Sequence, residues 1–215
     1  MLLADIGNTH THLYDGREVT HLTHNNAIER YAQKSINYIS VNRSAEEKIT
    51  NRTKWKNISS LITLDGAYDT MGVDRRALCL SHIDGVFVDA GSAITVDVME
   101  GRVYQGGFIL PGYRAMLESY GTISPVLKHE LNYEVSTDSL PLTTKDGISY
   151  GIIASIKSII EKHQKDKMIY FTGGDGEHLS SLIEESIFDD TLVFLGMQQA
   201  LKKSKSDKDK GYYIC

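Results

Sequence analysis

Two short segments of the chain pair an aspartate with a glycine two residues later, Asp5 with Gly7 and Asp89 with Gly91. In each segment the aspartate ends an apolar run and the glycine opens a turn. A carboxylate at the end of a strand can hold a cation, and the N–H groups of a glycine turn can contact phosphate. The pattern therefore predicts a phosphoryl-transfer site. An ordinary hairpin turn, where Asp, Asn and Gly are common, is the alternative for either segment alone.

The surroundings of the two aspartates share one layout. The pairs are separated by the same 84 residues, from 5 to 89 and from 7 to 91. Each segment predicts a meander of three strands. The strands of the first are residues 2–6 and 11–14 and a third that follows Gly16, and those of the second are residues 86–89, 93–99 and 102–110. We interpret the chain as a duplication of one unit that begins with a βββ meander.

Helical and strand patterns alternate after each meander, which predicts an α/β fold with helices packed on mixed sheets. The predicted helices are residues 25–33, 45–53, 75–80, 112–119, 149–163, 177–185 and 197–203, and the further strands are residues 36–41, 58–64, 168–171 and 192–195. We place the domain boundary near residue 84, which gives lobes at 1–84 and 85–215. A cleft between the lobes is the expected ligand position.

Other nucleotide-binding solutions are missing from the sequence. It contains neither G-x-x-x-x-G-K-[ST] nor G-x-G-x-x-G after a strand, which excludes a P-loop and the usual dinucleotide fingerprint. Residues 172–174 read Thr-Gly-Gly between a predicted strand and a predicted helix. This turn could pack against adenine and ribose, and a helix-entry turn without a ligand is the alternative.

Composition limits the classes of partner. The formal net charge of -5 argues against a nucleic-acid binder, and no apolar run reaches the roughly 20 residues of a membrane span. Because Asp5 comes too early for a signal-peptide core and only Cys79 and Cys215 are present, we expect a cytoplasmic protein. We expect the lysine-rich residues 202–210 to be a solvated terminal segment.

Four histidines lie close together in the first segment: His10, His12, His21 and His24. A metal site is one interpretation of this group. We favour ordinary strand and loop histidines, because no cysteine accompanies them.

Six motifs, in this order, resemble those of the type III pantothenate kinases. They are DIGNT at 5–9, GVDR at 72–75, DAGSAITVD at 89–97, GGFILPG at 106–112, TTKDGISYG at 143–151 and TGG at 172–174. The resemblance implies duplicated ribonuclease H-like lobes of the actin/hexokinase type. It also implies ATP-dependent phosphorylation of pantothenate, the first step towards coenzyme A, by a homodimer that uses Mg²⁺ and a monovalent cation, K⁺ or NH₄⁺.

The resemblance also assigns roles to residues of this chain. Asp74 matches the catalytic aspartate and Asp89 the monovalent-cation ligand. Asp5, from its place at the end of a strand before a glycine turn, would hold Mg²⁺ through water. The substrate-binding set is Tyr68, Gly72, Val73, Asp74, Arg75 and, from the partner subunit, Thr144. The ATP-binding set is Asp5, Ile6, Gly7, Asn8, Thr9, His10, Thr11, His12 and Ser92.

This sequence departs from the family pattern in three places. The stretch between Tyr68 and Gly72 is shorter than usual, Ser92 stands where Thr is commoner, and Thr143 stands where Asn is commoner. Ser92 keeps the hydroxyl group. The shortened stretch leaves the assignment of Tyr68 as the substrate tyrosine open.

Asp74 suits a carboxylate that accepts a hydrogen bond from the substrate hydroxyl and aligns its oxygen. The alternative is an N-cap for the predicted helix 75–80. Arg75 could pair with a substrate carboxylate or a phosphate, or be solvated on its helix. Two other functions stay open: another small-molecule kinase of the same superfamily, and a non-catalytic ATP-binding regulator.

Overall fold

The computed structural model describes residues 1–210. The strands are β1 Leu2–Ile6, β2 Thr11–Tyr14, β3 Val19–Leu22, β4 Ile36–Ser40, β5 Lys56–Asn57, β6 Gly85–Ala90, β7 Ala93–Glu100, β8 Val103–Pro111, β9 Ile169–Thr172 and β10 Ser186–Phe188. The α-helices are α1 His24–Tyr31, α2 Arg43–Arg52, α3 Val73–Cys79, α4 Tyr113–Ile123, α5 Thr144–Gln164, α6 Gly176–Ser181 and α7 Leu192–Lys210.

The chain forms two compact units that are discontinuous in sequence. The first unit contains Met1–Ile83, Glu100–Tyr104 and the chain from Asp190 onward, and the second contains Asp84–Met99 and Gln105–Asp189. In the sequence-based prediction, each lobe was one uninterrupted stretch of chain, 1–84 or 85–215. By contacts, the last helix, α7, belongs with the first unit.

Each unit is built on a five-stranded sheet, and the two sheets have the same topology. Their strand orders are β3-β2-β1-β4-β5 and β8-β7-β6-β9-β10. In both, the first strand of the meander pairs antiparallel with the second and parallel with the strand that follows the first crossover. The predicted α/β fold with a duplicated βββ-led unit is therefore confirmed.

The helices begin where side chains can cap them. The Thr23 hydroxyl accepts a hydrogen bond from Asn26 N at 3.3 Å, and Asn42 Oδ1 accepts one from Ala45 N at 3.0 Å. Such caps satisfy backbone N–H groups that a first turn leaves without a partner. The caps fix where α1 and α2 start.

Two cores of buried side chains support the two sheets. In the first unit the core includes Ile6, Leu13, Ile28, Ile36 and Ile49. In the second, four isoleucines of α5 pack on β6, β7 and β9: Ile152, Ile153, Ile156 and Ile160. Ile159 of the same helix is half-buried.

Three predicted elements of the chain are wrong. Residues 58–64 form a 3-10 turn at Ser59–Leu61 and not a strand, and the pairing strand is the shorter β5. Residues 192–195 lie in α7, because a short apolar run does not distinguish a strand from a buried helix. The helix predicted at 177–185 ends at Ser181, and the last strand is β10.

The helix α7 is longer than predicted and continues through the lysine-rich residues to Lys210. It packs closely on α3, since a Cβ atom at Gly196 would overlap the carbonyl oxygen of Ala77. Among the described residues, no helix has the length and apolar character needed to cross a membrane. Cys79 is a buried free thiol, and Cys215 lies outside the described residues.

Candidate functional site

The first glycine turn follows β1 in the first unit. Asp5 is the penultimate residue of β1 and lies opposite His12 on β2 and Ile39 on β4. Gly7 N donates a hydrogen bond to His10 O at 3.0 Å, which closes a four-residue turn between the paired residues Ile6 and Thr11. The turn therefore starts directly beyond the strand that carries the carboxylate.

This turn is fastened to the start of α2. Asn42 Nδ2 donates to Asn8 O at 3.0 Å, and Val41 N donates to Ile6 O at 3.1 Å. Asn42 also caps α2, so one side chain positions both the helix and the turn. The predicted ATP residues Asn8, Thr9 and His10 lie exposed on this turn.

Two members of the predicted ATP-binding set point into the core instead. The side chains of Ile6 and Thr11 are fully buried, and the Thr11 hydroxyl hydrogen-bonds His24 Nδ1 at 2.9 Å. From these positions they support the turn, and only their backbone atoms could reach a ligand. A buried side chain at these two positions follows from strand alternation, which places alternate residues on the sheet's core face.

The histidines form a contact group on β2 and β3. His12 Nδ1 lies 2.6 Å from His21 Nδ1, and burial together with the nearby His21, His10 and His24 lowers the pKa of His12 to about 4. His12 is therefore neutral at pH 7. Within the described residues, no group of three or more His, Cys, Asp or Glu side chains could hold a metal ion.

The second glycine turn has the same place in the second unit. Asp89 is the penultimate residue of β6 and lies opposite Thr95 on β7 and Thr172 on β9. Gly91 N donates to Ala93 O at 3.1 Å, which closes a turn one residue shorter than the first. Asp5 and Asp89 thus occupy equivalent positions in the two sheets.

Three turns meet around Asp89, and glycine is required in two of them. Gly173 has φ of +87°, and a Cβ atom there would lie 2.5 Å from Asp89 Oδ1. Gly112 N donates to Ser92 O at 3.1 Å, and a Cβ atom at Gly112 would lie 2.8 Å from the same oxygen. Backbone groups can approach a ligand closely here because no side chain intervenes.

The oxygen atoms around Asp89 fit a cation. Thr95 lies directly across from Asp89, and its Oγ1 is buried without a hydrogen-bond partner in the described part of the chain. Carboxylate and hydroxyl oxygens are hard ligands of the kind that cations such as Mg²⁺ and K⁺ take. Asp89 and Thr95 together supply only part of the coordination shell of such an ion. Nucleotide oxygens and water would supply the other ligands.

Asp74 lies in the first turn of α3. The helix begins at Val73 with Gly72 at the N-cap position, so the alternative in which Asp74 caps a helix at 75–80 is wrong. Asp74 Oδ1 accepts a hydrogen bond from Arg75 N at 2.8 Å. An added Cβ atom at Gly72 would overlap that same carboxylate oxygen, so a side chain there would displace the Asp74 carboxylate.

Arg75 is buried, so its interpretation as a solvated helix residue is wrong. Its side chain is 6% exposed, and Nη1 donates to the Tyr68 hydroxyl at 2.7 Å. The guanidinium carbon lies 6.0 Å from the centre of the Tyr68 ring, and Nη2 lies 3.5 Å from the Tyr104 hydroxyl. A planar cation held this way is suited to bind a carboxylate or a phosphate.

Tyr104 was missed by the sequence analysis. It is buried and lies 29 residues from Arg75 along the chain, at the start of β8. Tyr68, whose assignment was open, contacts both of these residues, with 6.2 Å between the two tyrosine ring centres. The structure therefore brings Tyr68 to the GVDR turn in spite of the shortened stretch.

Thr144 is the first residue of α5, in the second unit, and is exposed. The preceding Thr143 caps the helix, and its hydroxyl donates to Asp146 Oδ2 at 2.8 Å. Asn132 Nδ2 donates to Asp146 Oδ1 at 2.8 Å, and these bonds lower the pKa of Asp146. Thr144 is thus presented to solvent from a fixed helix start.

A family model and two relatives matched over nearly their full length carry the same family name. The model of the type III pantothenate kinase family matches residues 51–166. A type III pantothenate kinase of Wolinella succinogenes is 42% identical over 97% of this chain and 100% of its own length. One of Campylobacter jejuni is 39% identical over 95% of this chain and 98% of its own length.

Solved structures agree with the fold. A Campylobacter jejuni protein assigned to the Baf family of transcriptional activators has a TM-score of 0.86 and 37% identity, covering 96% of this chain and all of its own. A structure assigned as a 2-dehydro-3-deoxygalactonokinase from Sinorhizobium meliloti has a TM-score of 0.56 at 10% identity and covers 94% of this chain and 98% of its own. At that identity the likeness shows the fold alone. On the family model and the full-length relatives, this chain belongs to the type III pantothenate kinase family.

Proposed function

We propose that this protein transfers the γ-phosphoryl group of ATP to the terminal hydroxyl of pantothenate, giving 4'-phosphopantothenate for coenzyme A synthesis. The observation that carries the proposal is the GVDR turn, in which Asp74 lies beside the buried Arg75 and its tyrosine partners. Such a turn joins a hydrogen-bond acceptor for an alcohol to a cation for a carboxylate. Pantothenate has both of these groups.

Asp74 acts on the hydroxyl of the substrate in this scheme. In a loose phosphoryl-transfer transition state the alcohol proton leaves late, so the carboxylate mainly accepts the hydrogen bond and aligns the oxygen. The hydrogen bond from Arg75 N to Asp74 Oδ1 restrains the position of this carboxylate. Arg75, supported by Tyr68, binds the pantothenate carboxylate.

Each glycine turn offers groups that can contact phosphate. Backbone N–H groups of Asn8, Thr9 and His10 and the hydroxyl of Ser92 would contact phosphate oxygens, and these residues are exposed on their turns. Asp5 would hold Mg²⁺ through water, and Asp89 would hold K⁺ or NH₄⁺ with help from Thr95. Bound cations would neutralise the negative charge of the phosphate oxygens while the γ-phosphoryl group is transferred.

We propose that the active form is a homodimer in which Thr144 contacts pantothenate bound to the partner subunit. The exposed position of Thr144 at a capped helix start supports this role. Light scattering should give about twice the chain mass of 24.0 kDa. A monomer that keeps full turnover would contradict the shared site. A cytoplasmic location stays a prediction from the sequence.

An ADP-release assay with ATP, Mg²⁺ and K⁺ tests the function, with pantothenate, glycerol and hexoses compared as acceptors. Of these acceptors, we expect only pantothenate to give turnover. Turnover with a sugar would support another small-molecule kinase of the superfamily. ATP binding without turnover on any acceptor would support a non-catalytic regulator.

A further inference from the structure

Thr144 follows a long loop of the second unit. Residues 128–143 form neither helix nor strand, and they connect the 3-10 turn Pro125–Leu127 to the first residue of α5. Leu142, two residues before Thr144, is 99% exposed, and Leu140 is 79% exposed. Because these neighbours in the chain are not packed, the position of Thr144 must be fixed by other residues.

Asn132 joins this loop to the first two turns of α5. Its backbone N–H donates to Ser149 Oγ at 2.9 Å, and its Nδ2 donates to Asp146 Oδ1 at 2.8 Å. Ser149 is buried and donates in turn to Lys145 O at 3.1 Å. Asn132 Oδ1 accepts a hydrogen bond from Glu134 N at 3.0 Å, so both ends of the amide are bonded. The main chain and the side chain of Asn132 are therefore both tied to the helix.

Asp146 extends this restraint to the residue beside Thr144. Its Oδ2 accepts a hydrogen bond from the Thr143 hydroxyl at 2.8 Å, and its backbone N–H donates to the same hydroxyl oxygen at 3.2 Å. The hydrogen bonds from Asn132 and Thr143 lower the pKa of Asp146, so its carboxylate is ionised at pH 7. Hydrogen bonds to a charged acceptor are stronger than those between neutral groups. The start of α5 is thus held through both oxygens of one carboxylate.

Hydrogen bonds, and not a filled apolar space, make this connection. Leu131 and Val135 of the loop pack on the core of the second unit. Asn132 and Asp146, in contrast, line a pocket of about 240 Å³ whose other lining residues all lie in the loop. Since side chains do not fill this space, the position of the helix start relative to the loop depends on the hydrogen bonds across it.

We propose that Asn132 and Asp146 are positioning residues for pantothenate, which fix the start of α5 and thereby place the Thr144 hydroxyl for the substrate of the partner subunit. The inference rests on the proposed function, because it takes Thr144 as a pantothenate contact in a homodimer. Neither Asn132 nor Asp146 touches the substrate in this scheme. Their effect is geometric, since a hydroxyl displaced by about 1 Å no longer meets its partner at hydrogen-bond distance.

A positioning role predicts an effect on substrate affinity without an effect on the fold. Asn132 and Asp146 are half-buried, and substitutions near the surface usually change stability little. We therefore expect variants at these positions to raise the KM for pantothenate. Their melting temperature and kcat should stay close to wild type, and their KM for ATP should stay within about twofold of it.

The test exchanges the donor and the acceptor between the two positions. Asn132→Asp removes the donor and places two carboxylates face to face, so the KM for pantothenate should rise about tenfold. Asp146→Asn leaves an amide oxygen that can still accept from Asn132, so the rise should be about threefold. The double variant Asn132→Asp/Asp146→Asn restores a carboxylate opposite an amide, and its KM should return to within about twofold of wild type. No rise in Asn132→Asp, or no recovery in the double variant, overturns the inference.

Asn51→Asp is the matched control, because it makes the same change at an exposed position of α2. It should leave the KM for pantothenate unchanged. Thermal melting shows whether each variant folds. If Asn132→Asp does not fold, the decision passes to the milder Asp146→Asn, and a wild-type KM in that variant overturns the inference.

A double-mutant cycle with Thr144→Val separates the placement of Thr144 from a general structural effect. Thr144→Val removes the hydroxyl and should itself raise the KM for pantothenate about three- to tenfold. In the Thr144→Val background, Asn132→Asp should change this KM by less than about twofold, since the hydroxyl that Asn132 places is gone. If the two effects multiply, or if Thr144→Val has the wild-type KM, Asn132 does not act through Thr144 and the inference is overturned.

Turnover by wild type separates failure of this inference from failure of the proposed function. If wild type does not phosphorylate pantothenate, the proposed function fails and the inference fails with it. If wild type phosphorylates pantothenate and Asn132→Asp folds with the wild-type KM, the inference fails alone. A raised KM in Asn132→Asp that the double variant reverses, and that Thr144→Val abolishes, supports the positioning role.

Discussion

The hydroxyl of Tyr68 accepts a hydrogen bond of 2.7 Å from Nη1 of Arg75, and this bond holds a buried guanidinium beside the GVDR turn. Tyr68 itself is 47% exposed, so it can contact a substrate and Arg75 at once. The pair therefore links the interior of the first unit to a surface where a carboxylate can bind.

Tyr68→Phe removes this bond and leaves the ring in place over the arginine. We expect KM for pantothenate to rise about tenfold or more, because the lost hydrogen bond has a charged donor and such bonds contribute about 1.5–3 kcal/mol. The KM for ATP should not change. Steady-state kinetics with each substrate varied in turn checks this. A change in the KM for ATP only would contradict the assignment of Tyr68 as a pantothenate-binding residue.

Gly173→Ala should damage the second glycine turn through two effects. A left-handed φ costs a non-glycine residue about 1–2 kcal/mol. The new Cβ atom would also meet Asp89 Oδ1 at 2.5 Å and Ala90 O at 2.7 Å, and such overpacking costs about 1–3 kcal/mol more.

Gly16→Ala is the matched control for Gly173→Ala. Gly16 has φ of +107°, and an added Cβ there meets no atom within 4 Å, so only the backbone cost applies. Thermal melting and ATP titration of both variants should show a larger loss of stability, and a loss of ATP binding, in Gly173→Ala alone. Equal losses in the two variants would mean that the packing around Asp89 is not needed.

The low pKa of His12 predicts acid sensitivity. The pKa is about 4 in the folded chain and near 6.5 when unfolded, so between these values the unfolded state binds a proton that the folded state does not. Stability should therefore fall from pH 6.5 to pH 4, by up to about 3 kcal/mol from this group. The titratable side chains that face His12 are those of Asp5, His10, His21 and His24.

Urea unfolding at a series of pH values checks the His12 prediction. In His12→Gln the decline between pH 6.5 and pH 4 should be shallower than in wild type, since glutamine does not titrate. The same slope in both proteins would assign the acid sensitivity to other groups.

Asp89→Asn should weaken the response to monovalent cations. The neutral amide keeps the size of the side chain but removes the charge that faces Thr95 and Thr172. The K⁺ concentration for half-maximal activity should rise several-fold, while Asp138→Asn, an exposed substitution in the same unit, should leave it unchanged. An unchanged K⁺ response in Asp89→Asn would contradict its role as the cation ligand.

Local patterns were enough to predict the turns that follow Asp5 and Asp89. Strands β1 and β2 have the predicted bounds, because apolar runs that flank a glycine turn fix a hairpin within a few residues. The helix α7 was missed at its start, since Leu192 to Leu195 is too short a run to show a helical period.

The neighbours of the predicted site residues could not be found from spacing. Tyr104 reaches Arg75 across 29 residues, and Tyr113 reaches His178 across 65. Such contacts depend on how strands and loops pack, and a single sequence carries no local signal for them. The motif residues were therefore found, and the residues that position them were not.

The role of Asp74 in phosphoryl transfer is tested most directly by Asp74→Asn, with Asp69→Asn as a control from an exposed position in the preceding loop. Single-turnover kinetics, melting temperature and calorimetric ATP binding are measured on both. We expect Asp74→Asn to fold and bind ATP as wild type does, and to lose about 10²-fold or more in the rate of phosphoryl transfer. A wild-type rate in Asp74→Asn would contradict the assignment of Asp74 as the residue that aligns the pantothenate hydroxyl.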